Sequence, residues 1–288
     1  VSETPVERVR AVYARWRRDT PVAELRADWD ALFAAPVAAE IAPAVVGGVA
    51  CEWVRPAGAR RDAAIVYLHG GGFRMGSPRS HREIMARLAT EAGFPVLGVD
   101  YRLAPEHPLP AALEDTLAVL DRLDRFALAG DSAGGALALG AMIARLRQGK
   151  PAPAAAYLMS AWTDLTASGE SYATRAALYP IHQRPMILGL ARAALGASAS
   201  ADDPLLSPLF AEVETLSRLP PMLMQVGERE TLVSDSEDFA ARAGAHVRCE
   251  IWPGMIHVFQ QFPDLPQARE AVAAGARFLA AHLEGDKS

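Results

Sequence analysis

Apolar residues recur in two rhythms along this chain. In the N-terminal stretch Val6, Val9, Val12, Tyr13 and Trp16 share one face at helical spacing, with charges opposite. That spacing predicts helix over residues 1 to about 45, with a second piece from Pro21 to Phe33, where Pro21 suits a first helical position. Thereafter short apolar runs alternate with amphipathic segments. Strands are predicted at Val49–Val54, Ala63–Leu68, Pro95–Val99, Phe126–Ala129, Ala154–Met159, Met222–Val226 and His246–Trp252. Helices are predicted from about Ser80 to Glu91, Pro110 to Leu123 and Leu265 to Leu283, and a small-residue helix follows Gly135.

Strand and helix in alternation imply an α/β fold whose mostly parallel central sheet is flanked by helices and joined by right-handed crossovers. The alternation fails between Ser168 and Leu219. A helix-like piece with two prolines, Tyr172 to Leu195, stands there, followed by the proline-punctuated loop Asp203 to Pro208. An insertion of that length inside a repeating pattern is more often functional than idle.

Charge and composition narrow the partners. A net charge of -5 over 288 residues gives nothing that would neutralise a row of phosphates, so nucleic acid is not expected. Cys51 and Cys249 lie in separate strand-like runs without metal-ligand spacing and read as buried apolar residues. The opening residues mix acidic and basic side chains where a signal peptide needs an apolar core, and no later run is long and uncharged enough for a bilayer. A soluble, cytoplasmic protein without membrane partners is expected.

The candidate chemistry gathers at strand ends. The run Phe126–Ala129 meets Gly130-Asp131-Ser132-Ala133-Gly134-Gly135, the form of a sharp strand-to-helix turn carrying G-x-S-x-G and exposing a serine hydroxyl. Ser132 is the candidate nucleophile, against the plainer reading of a small-residue turn. Upstream, the strand ending at Leu68 runs into His69-Gly70-Gly71-Gly72-Phe73, whose backbone N–H groups can converge on a developing oxyanion. A phosphate loop is disfavoured, since neither Walker nor G-x-G-x-x-G spacing occurs. A serine hydroxyl needs a base, and histidine's ordinary pKa suits that task. Of seven histidines, His257 follows a strand in the loop Pro253–Ile256 and precedes the last helix. His246 and His282 read as structural or exposed, and His69 as a brace of the glycine loop. For a carboxylate to orient the base, Glu228, Glu230 and Asp235 compete after the strand Met222–Val226. Physical reasoning leaves Glu230 only narrowly ahead, because Asp235 also suits the first turn of the following helix.

Taken together, His69–Gly72, Asp100–Pro108 (DYRLAPEHP), Gly130–Gly135, Trp162–Leu165, Gly227–Leu232 and Trp252–His257 resemble the bacterial hormone-sensitive lipase-like esterases of the α/β-hydrolase fold. The resemblance spans about Ala63 to His257. It implies Ser132 as nucleophile, Glu230 as acid and His257 as base, with oxyanion donors on the N–H groups of Gly71, Gly72 and Ala133. It gives Arg102, Glu106 and Asp164 supporting roles only, and implies no cofactor and no metal. It also implies a helical cap in two parts, residues 1–45 and an insertion at about 168–205 within a catalytic domain of 46–288. A homodimer through the edge strand near 246–252 is a further expectation. The sequence departs from the family at Ala161, where proline is frequent, and at Tyr179-Pro180, often Asp-Pro. Hydrolysis of short- to medium-chain acyl esters through an acyl-enzyme is the implied activity. The alternatives are a lactonase or acyltransferase with the same residues, or a non-catalytic ligand-binding protein on the same fold.

Overall fold

The computed structural model describes residues 3–17, 19–197 and 199–285; the few positions of the expected spans outside these ranges lie outside the described residues. Eight strands form one sheet: β1 (Glu40–Val46), β2 (Val49–Arg55), β3 (Ala64–Leu68), β4 (Val96–Val99), β5 (Phe126–Asp131), β6 (Ala156–Met159), β7 (Met222–Gly227) and β8 (Val247–Trp252). Their order is β1-β2-β4-β3-β5-β6-β7-β8. The first two pairings, β1 with β2 and β2 with β4, are antiparallel; every later pairing is parallel.

The helices are α1 (Pro5–Arg15), α2 (Val22–Leu32), α3 (Arg82–Ala92), α4 (Ala111–Leu120), α5 (Ala133–Arg147), α6 (Ser171–Thr174), α7 (Arg184–Leu195), α8 (Val213–Leu216), α9 (Val233–Ala243) and α10 (Pro266–Glu284). Successive side chains of a strand point to opposite faces, and β3 divides accordingly. Val66 and Leu68 join a core with α4, α5 and α9, whereas Ile65 and Tyr67 join one with α3 and α10. Coverage on both faces explains why β3, β6 and Phe126–Ala129 of β5 read as unbroken apolar runs and why β7 is apolar apart from Gln225. A third cluster packs Val9 of α1 with Tyr179, Ile181, Phe259 and Phe262 above the C-terminal strand ends.

The expectation of helix to about residue 45 is corrected at its end, where Glu40–Val46 is a strand. It pairs only with β2, so Pro43 is tolerated at the sheet edge, where a missing N–H is harmless. The Gly47-Gly48 pair that turns β1 into β2 was the available hairpin signal. The piece expected over Tyr172–Leu195 is two helices, α6 and α7, separated by the segment around Pro180. Cys51 is buried and Cys249 only half-buried; burial raises both thiols, to about 11 and about 12, which leaves them protonated.

Candidate functional site

Strands β3, β5, β7 and β8, with β6 between β5 and β7, end on the same side of the sheet, and each delivers one part of the site: the glycine loop after β3, Ser132 after β5, Glu230 after β7 and His257 after β8. This is where an open parallel sheet presents its chemistry.

Ser132 sits at φ 52°, ψ -118°, a conformation rare for a residue with a side chain. Two contacts enforce it. The Ser132 N–H donates to the Met159 carbonyl at 2.9 Å, and α5 starts immediately, its backbone pressed against β3. A Cβ at Gly134 would lie 1.9 Å from the Leu68 carbonyl oxygen, so only glycine permits the approach. The turn lifts Ser132 Oγ to within 3.0 Å of His257 Nε2. On the ring's other side Nδ1 donates to Glu230 Oε2.

Glu230 is wholly buried, and its second oxygen is held by two donors: Oε1 accepts from the Gly227 N–H and the Ser160 hydroxyl, each at 2.7 Å. Ser160 Oγ in turn accepts the Val258 N–H at 3.0 Å. One serine thus ties the carboxylate to the residue after His257. Sequence reasoning passed Ser160 over, although its place directly after β6 was a usable signal. The competing carboxylates lie elsewhere. Glu228 Oε2 accepts the Gly254 N–H at 2.8 Å, and Asp235 Oδ2 accepts the Asp164 N–H at 3.0 Å. Asp164 itself accepts from the hydroxyls and amides of Thr166 and Ser168.

Facing Ser132, the N–H groups of Gly71, Gly72 and Ala133 find no acceptor among the described residues. Gly71 has φ 117°, and a Cβ there would strike the Met75 carbonyl oxygen at 2.2 Å. Beneath this loop lies a buried polar cluster. Asp131 Oδ1 accepts from the Gly70 N–H at 3.0 Å and the Tyr67 hydroxyl at 2.9 Å, and His81 Nε2 lies 3.3 Å away. Burial pushes the Asp131 carboxyl up, but the charge and hydrogen bond of His81, with the bond from Tyr67, outweigh it and hold the group below the usual carboxylate range. His69 donates from Nδ1 to the Gly70 carbonyl and stacks on Tyr101, whose hydroxyl donates to the His69 carbonyl at 2.6 Å. Burial and the neighbouring His81 lower the His69 pKa to about 3, so it braces the loop as a neutral ring. Arg102 is engaged by Asp115 and Glu114, and Glu106 by Arg26 of α2, away from the reacting groups.

No group of three or more metal-ligating side chains occurs among the described residues, and no described helix is long and apolar enough to cross a membrane.

A family model described as the alpha/beta hydrolase fold matches residues 65–261. An acetyl-hydrolase of Streptomyces hygroscopicus is 41% identical over 81% of this chain and 80% of its own length. An esterase of Acinetobacter venetianus is 34% identical over 83% and 81%. The crystal structure of an esterase from the bacterial hormone-sensitive lipase family superposes with a TM-score of 0.91 at 37% identity, covering 98% of this chain and 100% of that one. With the family model spanning most of the chain and relatives this close in both sequence and structure, the protein belongs to the α/β-hydrolase family, among the bacterial hormone-sensitive lipase-like esterases.

Proposed function

We propose that this chain is a serine carboxylesterase that cleaves short- to medium-chain acyl esters through an acyl-enzyme. The observation that carries the reading is the line from Ser132 Oγ through His257 to Glu230. His257 Nε2 takes the Ser132 proton as Oγ attacks the ester carbonyl. Glu230 fixes the ring's tautomer and balances the imidazolium charge. The oxyanion is received by the N–H groups of Gly71, Gly72 and Ala133, each such donor contributing on the order of 3 kcal/mol to the barrier reduction. His257 then protonates the leaving alcohol, and water repeats the sequence on the acyl-serine.

A cap of α1 and α2 with the 168–205 insertion forms the roof of the acyl-binding cleft in this reading, supported by the packing of Val9 on Tyr179, Ile181 and Phe262. That a relative is named an acetyl-hydrolase supports the short end of this acyl range. Hydrolysis of a graded series of p-nitrophenyl esters, with Ser132→Ala as blank, tests the reading. Activity should peak at short to medium chains, and a stoichiometric organophosphate adduct should form on Ser132. An unlabelled Ser132 with undiminished activity in Ser132→Ala would overturn it. The outer edge of β8 ends the sheet, and pairing of that edge with its copy in a homodimer belongs to the same proposal, with solution mass as its check.

A further inference from the structure

Three buried nitrogens without a hydrogen-bond partner among the described residues belong to side chains that line the cleft above Ser132: Trp29 Nε1, His182 Nδ1 and Gln261 Nε2. Trp29 and Gln261 are each more than nine-tenths buried. A buried donor left unpaired costs about 1–3 kcal/mol, so native proteins rarely keep one without a use. Three around a single cleft call for a common partner.

They are also contiguous. The Tyr13 ring lies between Trp29 and His182, with centroids 6.1 and 6.3 Å away. Phe33 packs on Trp29 at 5.2 Å and on Phe262, the neighbour of Gln261, at 5.6 Å. Trp162, Ile187 and Leu190 line the same cleft, and Leu190 Cδ1 stands 3.0 Å from where a Cβ of Gly72 would be, so apolar lining adjoins the glycine loop.

The placement of His257 says which part of an ester lies nearest the donors. His182 packs edge-on against the His257 ring at 4.5 Å, and Gln261 lies four residues beyond His257 in the same turn. A leaving alcohol must lie on the His257 side of Ser132 to receive its proton. Burial and then the proximity of His257 hold the His182 imidazole well below the usual histidine range, so it stays uncharged beside the base. Trp29 Nε1 can only donate, the Gln261 amide nitrogen donates twice, and a neutral His182 donates from Nδ1 in one tautomer. The complement of that set is an acceptor oxygen.

We infer that Trp29, His182 and Gln261 form a subsite for the alcohol portion of the substrate, and that the preferred esters carry an ether, carbonyl or second hydroxyl oxygen in that portion rather than a plain alkyl chain. This rests on the esterase reading given above.

The test uses two matched ester pairs and the whole 288-residue chain. In the first pair, 2-methoxyethyl butanoate and butyl butanoate, the alcohol differs by one oxygen for one methylene. In the second, butyl methoxyacetate and butyl butanoate, the same exchange is made in the acyl chain. The ratio of kcat/KM within each pair is compared among wild type, Trp29→Phe, His182→Leu and Gln261→Met. Because both esters meet the same preparation, loss of folded enzyme cancels from the ratio, and the intrinsic reactivity of each ester cancels between variants. The expected result is a fall of about fivefold in the alcohol-side ratio on removing a donor that binds the oxygen, with the acyl-side ratio unmoved. Ratios that stay constant in all three variants would overturn the subsite while leaving the esterase intact. A change confined to the acyl-side ratio would overturn the assignment to the alcohol. If none of the esters is cleaved, the esterase reading falls and the subsite falls with it.

Discussion

Asp131 Oδ1 accepts the Gly70 N–H at 3.0 Å, so the residue that precedes the candidate nucleophile also holds the loop that faces it. The carboxylate is buried with Tyr67 and His81 around it, and its pKa lies below the ordinary value. A depressed carboxyl stabilises the fold above its unfolded pKa, and that contribution is lost as pH falls through the folded value. Asp131→Asn is expected to cost about 1–3 kcal/mol at pH 7, the scale of hydrogen bonds to a charged group. The difference from wild type in urea unfolding should shrink as pH drops below about 4. A gap that stays constant with pH would show that the charge contributes nothing.

Asp235 titrates in the opposite sense. Burial, and then the neighbouring Asp164, push its carboxyl well above the usual range, so the folded protein favours the protonated acid. Stability from such a group is full below the unfolded pKa and is lost as pH rises through the folded one. Asparagine copies the protonated shape and can still accept the Asp164 N–H through its carbonyl. Asp235→Asn should therefore stabilise the protein at pH 7, on the order of 1 kcal/mol, with no gain near pH 3. A loss of stability at pH 7 would mean that the ionised carboxylate is the native form.

Ser160 bridges the Glu230 carboxylate and the Val258 N–H. Ser160→Ala leaves both without that partner and lets the carboxylate and the loop drift apart. One hydrogen bond of about 1–1.5 kcal/mol corresponds to roughly a tenfold fall in kcat, with KM for a short ester little changed. A large rise in KM at constant kcat would instead place Ser160 in substrate binding.

The three carboxylates after β7 separate by substitution. Glu230→Gln should lower kcat by about three to four orders of magnitude, since the base loses its orienting charge. Glu228→Gln keeps an acceptor for the Gly254 N–H and should cost less than tenfold. The reverse ranking in steady-state assays would move the acid to Glu228.

The sheet was legible because β3, β5, β6 and β7 are covered on both faces and so run almost wholly apolar, Gln225 of β7 excepted. The strand β1 was not, because an alanine-rich edge segment with a proline and partial burial carries neither period clearly. Ser132, His257 and the glycine loop announced themselves by type and by place at strand ends. Choosing Glu230 over its neighbours needed the resemblance, for the contacts from Gly227, Ser160 and His257 that support it converge only in the fold. Trp29, His182 and Gln261 were illegible for the same reason. They come from three distant segments, and an unpaired donor cannot be recognised until its surroundings are known.

The backbone of Ser132 makes a last comparison informative. At φ 52°, ψ -118° a residue with a Cβ carries strain of order 1–3 kcal/mol, whereas glycine occupies the region freely. Ser132→Ala removes the hydroxyl and keeps the strain. Ser132→Gly removes both, at the expense of roughly 0.5–1 kcal/mol from the freer unfolded chain. Both variants should lose the acyl-enzyme burst, and the glycine variant should be more stable than the alanine variant by about 1 kcal/mol in urea titrations. Such a gap would measure the folding stability given up to expose the hydroxyl to His257, the trade expected where activity depends on a strained turn. Equal stabilities of the two would mean that the contacts of α5 and β6 around the turn absorb the strain, and that exposing the hydroxyl costs the fold nothing.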